Sequence, residues 1–162
     1  MARKFDSEIR IDKKGNWFFR GQEITQENVL NFFKKNLKED ELGVYIENHY
    51  GGLTEHGYLE SYSILLKIKS ILEKETLYFV SEVDEVIKLT DINIYHDTNE
   101  LLFIRKKSQL KIRYILGLDA ISTLSKYLDQ IDNLYSVNYN SIQTKISFDN
   151  TDSFISLPIL YN

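Results

Sequence analysis

Between Glu8 and Asn48 a tryptophan-centred aromatic run, a glycine turn, an amphipathic stretch and a second apolar run follow one another, an order that few folds accommodate. Trp17, Phe18 and Phe19 lie between the Lys14-Gly15-Asn16 turn and Gly21, the pattern of a short strand bounded by turn residues. Ile24 and Thr25 then open a helix, with Thr25 as its N-cap and Ile24 and Val29 at the spacing of a hydrophobic staple. Val29, Phe33 and Leu37 recur every four residues, while Gln26, Asn31, Lys34, Lys35 and Lys38 fall elsewhere, so one face is apolar and is expected to pack on a sheet. Glu39-Asp40-Glu41 and Gly43 interrupt the helix, and Val44, Tyr45 and Ile46 form the returning strand. Strand, turn, helix and strand in succession predict an α+β, two-layer fold built mostly of antiparallel sheet.

Upstream, Glu8 to Asp12 alternates charged and apolar residues, so residues 8 to 20 read as a hairpin whose first strand lies at a sheet edge. Residues His49 to Gly57, with three glycines and two of the three histidines, read as a loop. From Tyr58 to Ile68 the even positions are mostly apolar, as in a strand, although Tyr58, Tyr62, Leu65 and Leu66 also fit a helical stripe. Thr76 to Val83, Val86 to Leu89, Ile92 with Ile94, Leu101 to Arg105 and Gln109 to Leu116 predict a meander. Asp119 to Leu128 predicts a second helix capped by Asp119, and strands at Leu134 to Val137, Ile142 to Phe148 and Phe154 to Leu157 close the chain. The order Trp17 to Arg20, Gly21, helix, Tyr45 strand is echoed by Ile112 to Leu116, Gly117, helix, Tyr135 strand. Internal duplication accounts for this, with a first repeat over residues 1–74 and a second over 75–162; chance recurrence in an α+β chain is the alternative.

Composition bounds the function classes. At 162 residues, 43% hydrophobic and 27% charged, the chain can bury a core as one domain or two subdomains. It has no cysteine, which removes disulfides, thiolate metal sites and a thiol nucleophile and fits a reducing compartment. Met1 to Asp6 carries no apolar signal-peptide segment and no later run is long enough to span a bilayer, so a cytoplasmic location without membrane insertion is expected. A net charge of -4 opposes general affinity for nucleic acid, which depends on neutralising phosphates.

Ile11-Asp12 with Gly15-Asn16-Trp17-Phe18, Gly21 with Ile24, the Phe32-Phe33 helix, and Gly43 with Tyr45 resemble the opening of a bacterial family, domain of unknown function 1285. Glu75-Thr76-Leu77-Tyr78-Phe79-Val80 looks like that family's acidic, small, proline, aromatic signature, with Leu77 where proline is usual. Asp132-Asn133-Leu134-Tyr135 and Lys145-Ile146-Ser147-Phe148 are similar to its closing strands, though an arginine is more usual near Lys145, and residues 49 to 74 are longer and unmatched. The resemblance implies a duplicated two-layer α/β fold whose second half is loosely like a pleckstrin-homology domain. It also implies a signalling role, with a small, nucleotide-like ligand at the junction of the halves, and brings no catalytic activity.

No chemical motif contradicts that expectation. His49 and His56 with Glu55, and His96 with Asp97, lack the spacing of a metal-binding helix; Gly51-Gly52 lacks the lysine and hydroxyl of a phosphate loop; no serine stands at a glycine-flanked elbow. Glu82, Asp84 and Glu85 read as a solvated strand end. Arg105, Lys106, Lys107, Lys111 and Arg113 form the marked basic cluster, either a hairpin tip in water or a surface for phosphate or an acidic partner. The sequence therefore predicts a non-catalytic ligand-binding or signalling module without cofactor or metal. The alternative is a protein-interaction scaffold that uses a strand edge or the basic hairpin. For an anionic ligand, Arg20 and Arg113 are the candidate guanidiniums, near the strand that begins at Glu75, with Tyr78 stacking on a ring. Against this stands the reading in which both arginines are surface residues covering apolar neighbours with their stems.

Overall fold

The computed structural model describes residues 2–152 and 154–155. They form two compact units, Met1–Leu65 with the residues from Asp152 onward, and Leu66–Thr151. The division precedes residue 74 because the long strand from Leu66 pairs entirely within the second unit.

The first unit runs β1 (Arg3–Asp6), β2 (Ile9–Ile11), β3 (Trp17–Phe19), β4 (Gln22–Glu23), α1 (Glu27–Lys35), β5 (Leu37–Asp40), β6 (Gly43–Tyr50), β7 (Leu53–Tyr58) and β8 (Ser61–Tyr62). The β2–β3 hairpin forms as the alternation predicts. Asp12 closes its turn by accepting from the amides of Lys14 (3.0 Å) and Asn16 (2.9 Å), and Gly15 supplies the left-handed φ of +84°. Strand β2 is internal rather than an edge, since β8 pairs with it on the other side. Helix α1 begins after Gln26, not Thr25, and no side chain caps it. Leu37 lies beyond it in β5, which turns at Glu41-Leu42 into β6. The acidic run that marks the helix end thus occupies the β5 strand and its turn. Gly51-Gly52 is the two-residue turn of a β6–β7 hairpin, so His49 and His56 stand on strands, not in a loop. Sheet β1-β7-β6-β5 places Phe5, Gly57, Ile46 and Leu37 in line on one face and Lys4, His56 and Glu47 on the other.

The second unit runs β9 (Leu66–Glu73), β10 (Leu77–Ser81), β11 (Val86–Lys88), β12 (Ile92–His96), β13 (Leu102–Lys106), β14 (Tyr114–Leu116), α2 (Leu118–Ser125), β15 (Leu128–Ile131), β16 (Leu134–Tyr139) and β17 (Ile142–Phe148). Only Tyr114–Leu116 of the run from Gln109 is strand, and Leu128 starts β15 rather than ending the helix. One nine-stranded sheet, in the order β11-β10-β9-β14-β13-β12-β17-β16-β15, contains all of them. It is mixed: β9 with β14 and β12 with β17 are parallel, the other pairs antiparallel. Ile68, Leu77, Phe79, Ile94, Phe103, Ile104, Ala120, Leu124 and Val137 are at most 1% exposed and make the core. Helix α2 is introduced by Gly117, not Asp119; the Gly117 amide donates to the Ile68 carbonyl at 2.8 Å, and a Cβ there would meet that oxygen at 3.0 Å. The sheet curls until its β9–β10 and β16–β17 turns meet, where Tyr139 Oη donates to the Lys74 carbonyl (2.5 Å) and Asn140 Nδ2 to that of Glu75 (3.0 Å). Finally β18 (Phe154–Ile155) returns to the first unit and pairs with β8, completing a sheet β18-β8-β2-β3-β4. The rest of the strand predicted to end at Leu157 lies outside the described residues.

Among the described residues the fold is therefore α+β, with three mixed sheets in which antiparallel pairs predominate, and two α-helices. In each unit a helix is followed by a short strand, a two-residue turn, a second strand and a third, which pairs in parallel with a strand preceding the helix. No described helix is long and apolar enough to cross a membrane.

Candidate functional site

The ends of β12, β13 and β17 assemble a cavity in the second unit. His96 is opposite Leu102 on β13 and opposite Phe148 on β17; Ile146, two residues before Phe148, is opposite Tyr135. Side chains in register across paired strands share a face, so His96, Leu102, Phe148, Ile146 and Tyr135 point the same way. Farther along that face Ile94, Ile104 and Val137 are closed into the core; at this end the face stays open. The result is a cavity of about 390 Å³, walled by these residues and Leu128 and rimmed by Asp97, Thr98 and Glu100.

Its rim is held by one buried carboxylate. Asp97, 6% exposed, accepts the amides of Asn99 (2.9 Å) and Leu101 (2.8 Å) on Oδ1 and the Thr151 hydroxyl (3.0 Å) on Oδ2. Three charge-assisted bonds fix a turn in which Glu100 takes a left-handed φ of 61°. His96 meets the rings of Phe148 (5.7 Å) and Tyr135 (6.0 Å) edge-on. Its Nδ1 lies 3.4 Å from the Asp97 carbonyl. The cavity thus combines aromatic and aliphatic walls with a polar rim of Asp97, Thr98 and Glu100.

The four residues expected to bind an anion are distributed differently. Arg20 belongs to the first unit, on an exposed turn, where Nε donates to Glu8 at 2.6 Å and the guanidinium lies over Phe19 at 5.1 Å. This is the stem-covering arrangement. Glu75 and Tyr78 do come together: the Tyr78 hydroxyl donates to the Glu75 carboxylate, holding that carboxyl below and the phenol above their ordinary ranges. Glu75 also belongs to the clasp that closes the sheet, through its carbonyl. Arg113 is fully buried, with Nη1 donating to the Asn150 carbonyl at 3.2 Å. Its own carbonyl accepts from Leu66 at the start of β9, whereas Tyr78 pairs with Leu72 toward the far end. At the usual rise per residue that separation is on the order of 20 Å, so Arg113 does not join the Glu75–Tyr78 pair.

Two members of the basic cluster are ion-paired, Arg105 with Asp149 (2.5 Å) and Lys106 with Glu85. His49 and His56 converge on Glu47, at 3.6 and 3.5 Å, because Glu47 is opposite His56 across β6 and β7 and His49 follows two residues on. Lys38 donates to the same carboxylate and keeps it below the ordinary glutamate range. Among the described residues no group of three His, Cys, Asp or Glu side chains is arranged to hold a metal ion.

Sequence reasoning noticed His96 only beside Asp97 and passed over Leu102, Tyr135, Phe148 and Leu128. The strand over Ile142 to Phe148 was expected, but only the parallel pairing of β12 with β17, across some fifty residues of chain, brings its Ile146 and Phe148 face to His96.

No family model matches the sequence, and no curated protein matches it. The fold is similar to the crystal structure of a DUF1285 family protein from Silicibacter pomeroyi DSS-3, with a TM-score of 0.65 at 14% identity over 90% of this chain and 82% of that one. By fold, then, this chain is similar to a DUF1285 family protein.

Proposed function

We propose that the protein is a non-catalytic module that binds a planar, largely apolar small molecule in the cavity beside His96. The observation that carries this reading is a concave site within the usual range for ligands, roughly 300 to 1,000 Å³. It has ring and aliphatic walls, an imidazole and a polar rim of Asp97, Thr98 and Glu100. Asp97 and Glu100 at the mouth favour a neutral or cationic ligand. The base of a nucleotide-like ligand suits these walls, while its phosphates find no guanidinium in the lining.

We further propose that the two units descend from one repeat. The helices begin at residues 27 and 118, the next strands at 37 and 128, and the following ones at 43 and 134, a constant offset of 91. Residue 3 is opposite 55, and residue 94 opposite 146, a separation of 52 in each unit. Under this alignment Gly21 and Gly117 are not equivalent; the first serves a turn at φ +81° and the second a close helix approach. The curled sheet with α2 against it supports likeness to a pleckstrin-homology domain. A second functional reading, strand addition by a protein partner, is favoured at the edge strand β15, where Ile131 and the adjoining Leu134 are exposed.

A thermal-shift series with neutral heteroaromatic compounds tests the ligand reading. At about a hundred times its dissociation constant a ligand adds about 2.7 kcal/mol to stability. The rise is expected to saturate in the parent and in Arg20→Met, and to vanish in Phe148→Ala, which removes an exposed ring from the cavity wall. A rise lost in Arg20→Met but kept in Phe148→Ala would favour the anion site instead.

A further inference from the structure

The first unit contains a second cavity, of about 380 Å³, beneath α1. The nine-residue helix presents Val29, Phe32 and Phe33 to it, yet none of its residues is buried. In α2, by contrast, Ala120 and Leu124 are fully buried. An amphipathic helix of this length gains most of its stability from packing its apolar face, so α1 stands over space that its own side chains do not fill. The floor is as apolar as the roof: Ile9, Ile24 and Ile46 line it, and Gly57 lets the Phe5 ring lie flat, since a Cβ there would meet that ring at 3.0 Å. Phe5 opposite Gly57 on β1 and β7 holds the register position that His96 opposite Phe148 holds on β12 and β17. The two cavities therefore open over corresponding strand pairs.

The lining contains no charged side chain. Of its two polar residues, Ser7 is engaged, its hydroxyl donating to the Tyr58 carbonyl at 2.7 Å and accepting the Ile9 amide at 3.2 Å. The half-buried Asn48 amide is the group left to meet a ligand. An apolar body can replace the missing packing under α1, a neutral head can bond to an amide, and a charged head would be desolvated without a counter-ion. We infer that this cavity is a binding site for an uncharged single-chain amphiphile, with its chain beneath α1 and its hydrogen-bonding head at Asn48. The inference does not depend on the His96 cavity being a ligand site.

Trp17, the single tryptophan, stacks on Phe33 at 6.1 Å and so reports on the roof. Titration of the full chain with decan-1-ol, followed by Trp17 fluorescence, is expected to give a saturable change. Decanoate should bind roughly tenfold or more weakly, equivalent to about 1.4 kcal/mol. Val29→Phe, which fills the space from the roof, should weaken decan-1-ol binding by at least about tenfold on the same scale. Asn48→Ala should weaken it several-fold, and it keeps the test valid if Val29→Phe unfolds the unit. Phe148→Ala should leave it unchanged, which separates this site from the His96 cavity. Absence of a saturable signal in the parent, equal binding of decanoate, or parental affinity in both Val29→Phe and Asn48→Ala would overturn the inference.

Discussion

At the scale of single residues, the polar groups in the second unit do more to shape backbone than to offer chemistry. Asp97 is the clearest case: its carboxylate holds two amides and a hydroxyl at the cavity rim. Asp97→Ala leaves those donors to find water and is expected to cost about 2 kcal/mol, read as a lower denaturant midpoint with an unchanged slope. Arg113, read from sequence as an anion ligand, is fully buried and bonded to the Asn150 carbonyl. Long basic side chains seldom lie so deep without partners, and nothing local in the sequence distinguishes this arginine from the exposed Arg20. Glu47 supplies a pH dependence. The hydrogen bond from Lys38 holds its carboxyl below the ordinary value of 4.5, so its contribution is fully present above that unfolded-state value and is lost as pH falls through the folded one. Thermal melts from pH 6 down to 3 should show this loss in the parent and a shallower one in Lys38→Met; coincident curves would remove Glu47 as a source.

At the scale of elements, two glycines in similar sequence settings separate two physical causes. Gly21→Ala introduces a side chain into open space at a left-handed φ of +81° and should cost about 1 to 2 kcal/mol through backbone strain. Gly117→Ala has an ordinary φ but drives a Cβ against the Ile68 carbonyl, and should cost about 1 to 3 kcal/mol by pushing α2 away from β9. Equal losses relieved equally by Asn, which tolerates the left-handed region, would contradict the distinction. Period and turn chemistry made much of this legible: the β2–β3 hairpin, the strands β10 to β13, β16, β17 and both helices follow from them, but β10 to β13 do not form the expected meander, since β11 pairs only with β10 and β12 lies between β13 and β17. Strands β5 and β15 were not legible, because Leu37 and Leu128 also continue the helical periodicity of the segments before them. Strand β1 was hidden because its partner β7 lies some fifty residues away and was itself read as a glycine loop. The candidate cavity was illegible for the same reason: its face is assembled by parallel pairing, whose register is absent from any local window.

At the scale of the whole molecule, the chain is two units that each keep an open apolar end on a corresponding strand pair. The second unit is continuous in sequence and fastened by the Tyr139 and Asn140 bonds to the β9–β10 turn. Residues 66–151 should accordingly fold alone with a cooperative melt. A non-cooperative melt would show that the clasp and core do not suffice. Nuclear magnetic resonance of the isotope-labelled full chain, with the compound giving the largest thermal shift, tests the proposed ligand site in the cavity at the end of the second unit's curled sheet. Saturable shifts are expected to centre on His96, Leu102, Leu128, Tyr135 and Phe148, with contacts between the ligand and the Phe148 ring. Shifts centred on Arg20 or on Glu75 and Tyr78, with the His96 cavity unperturbed, would contradict it.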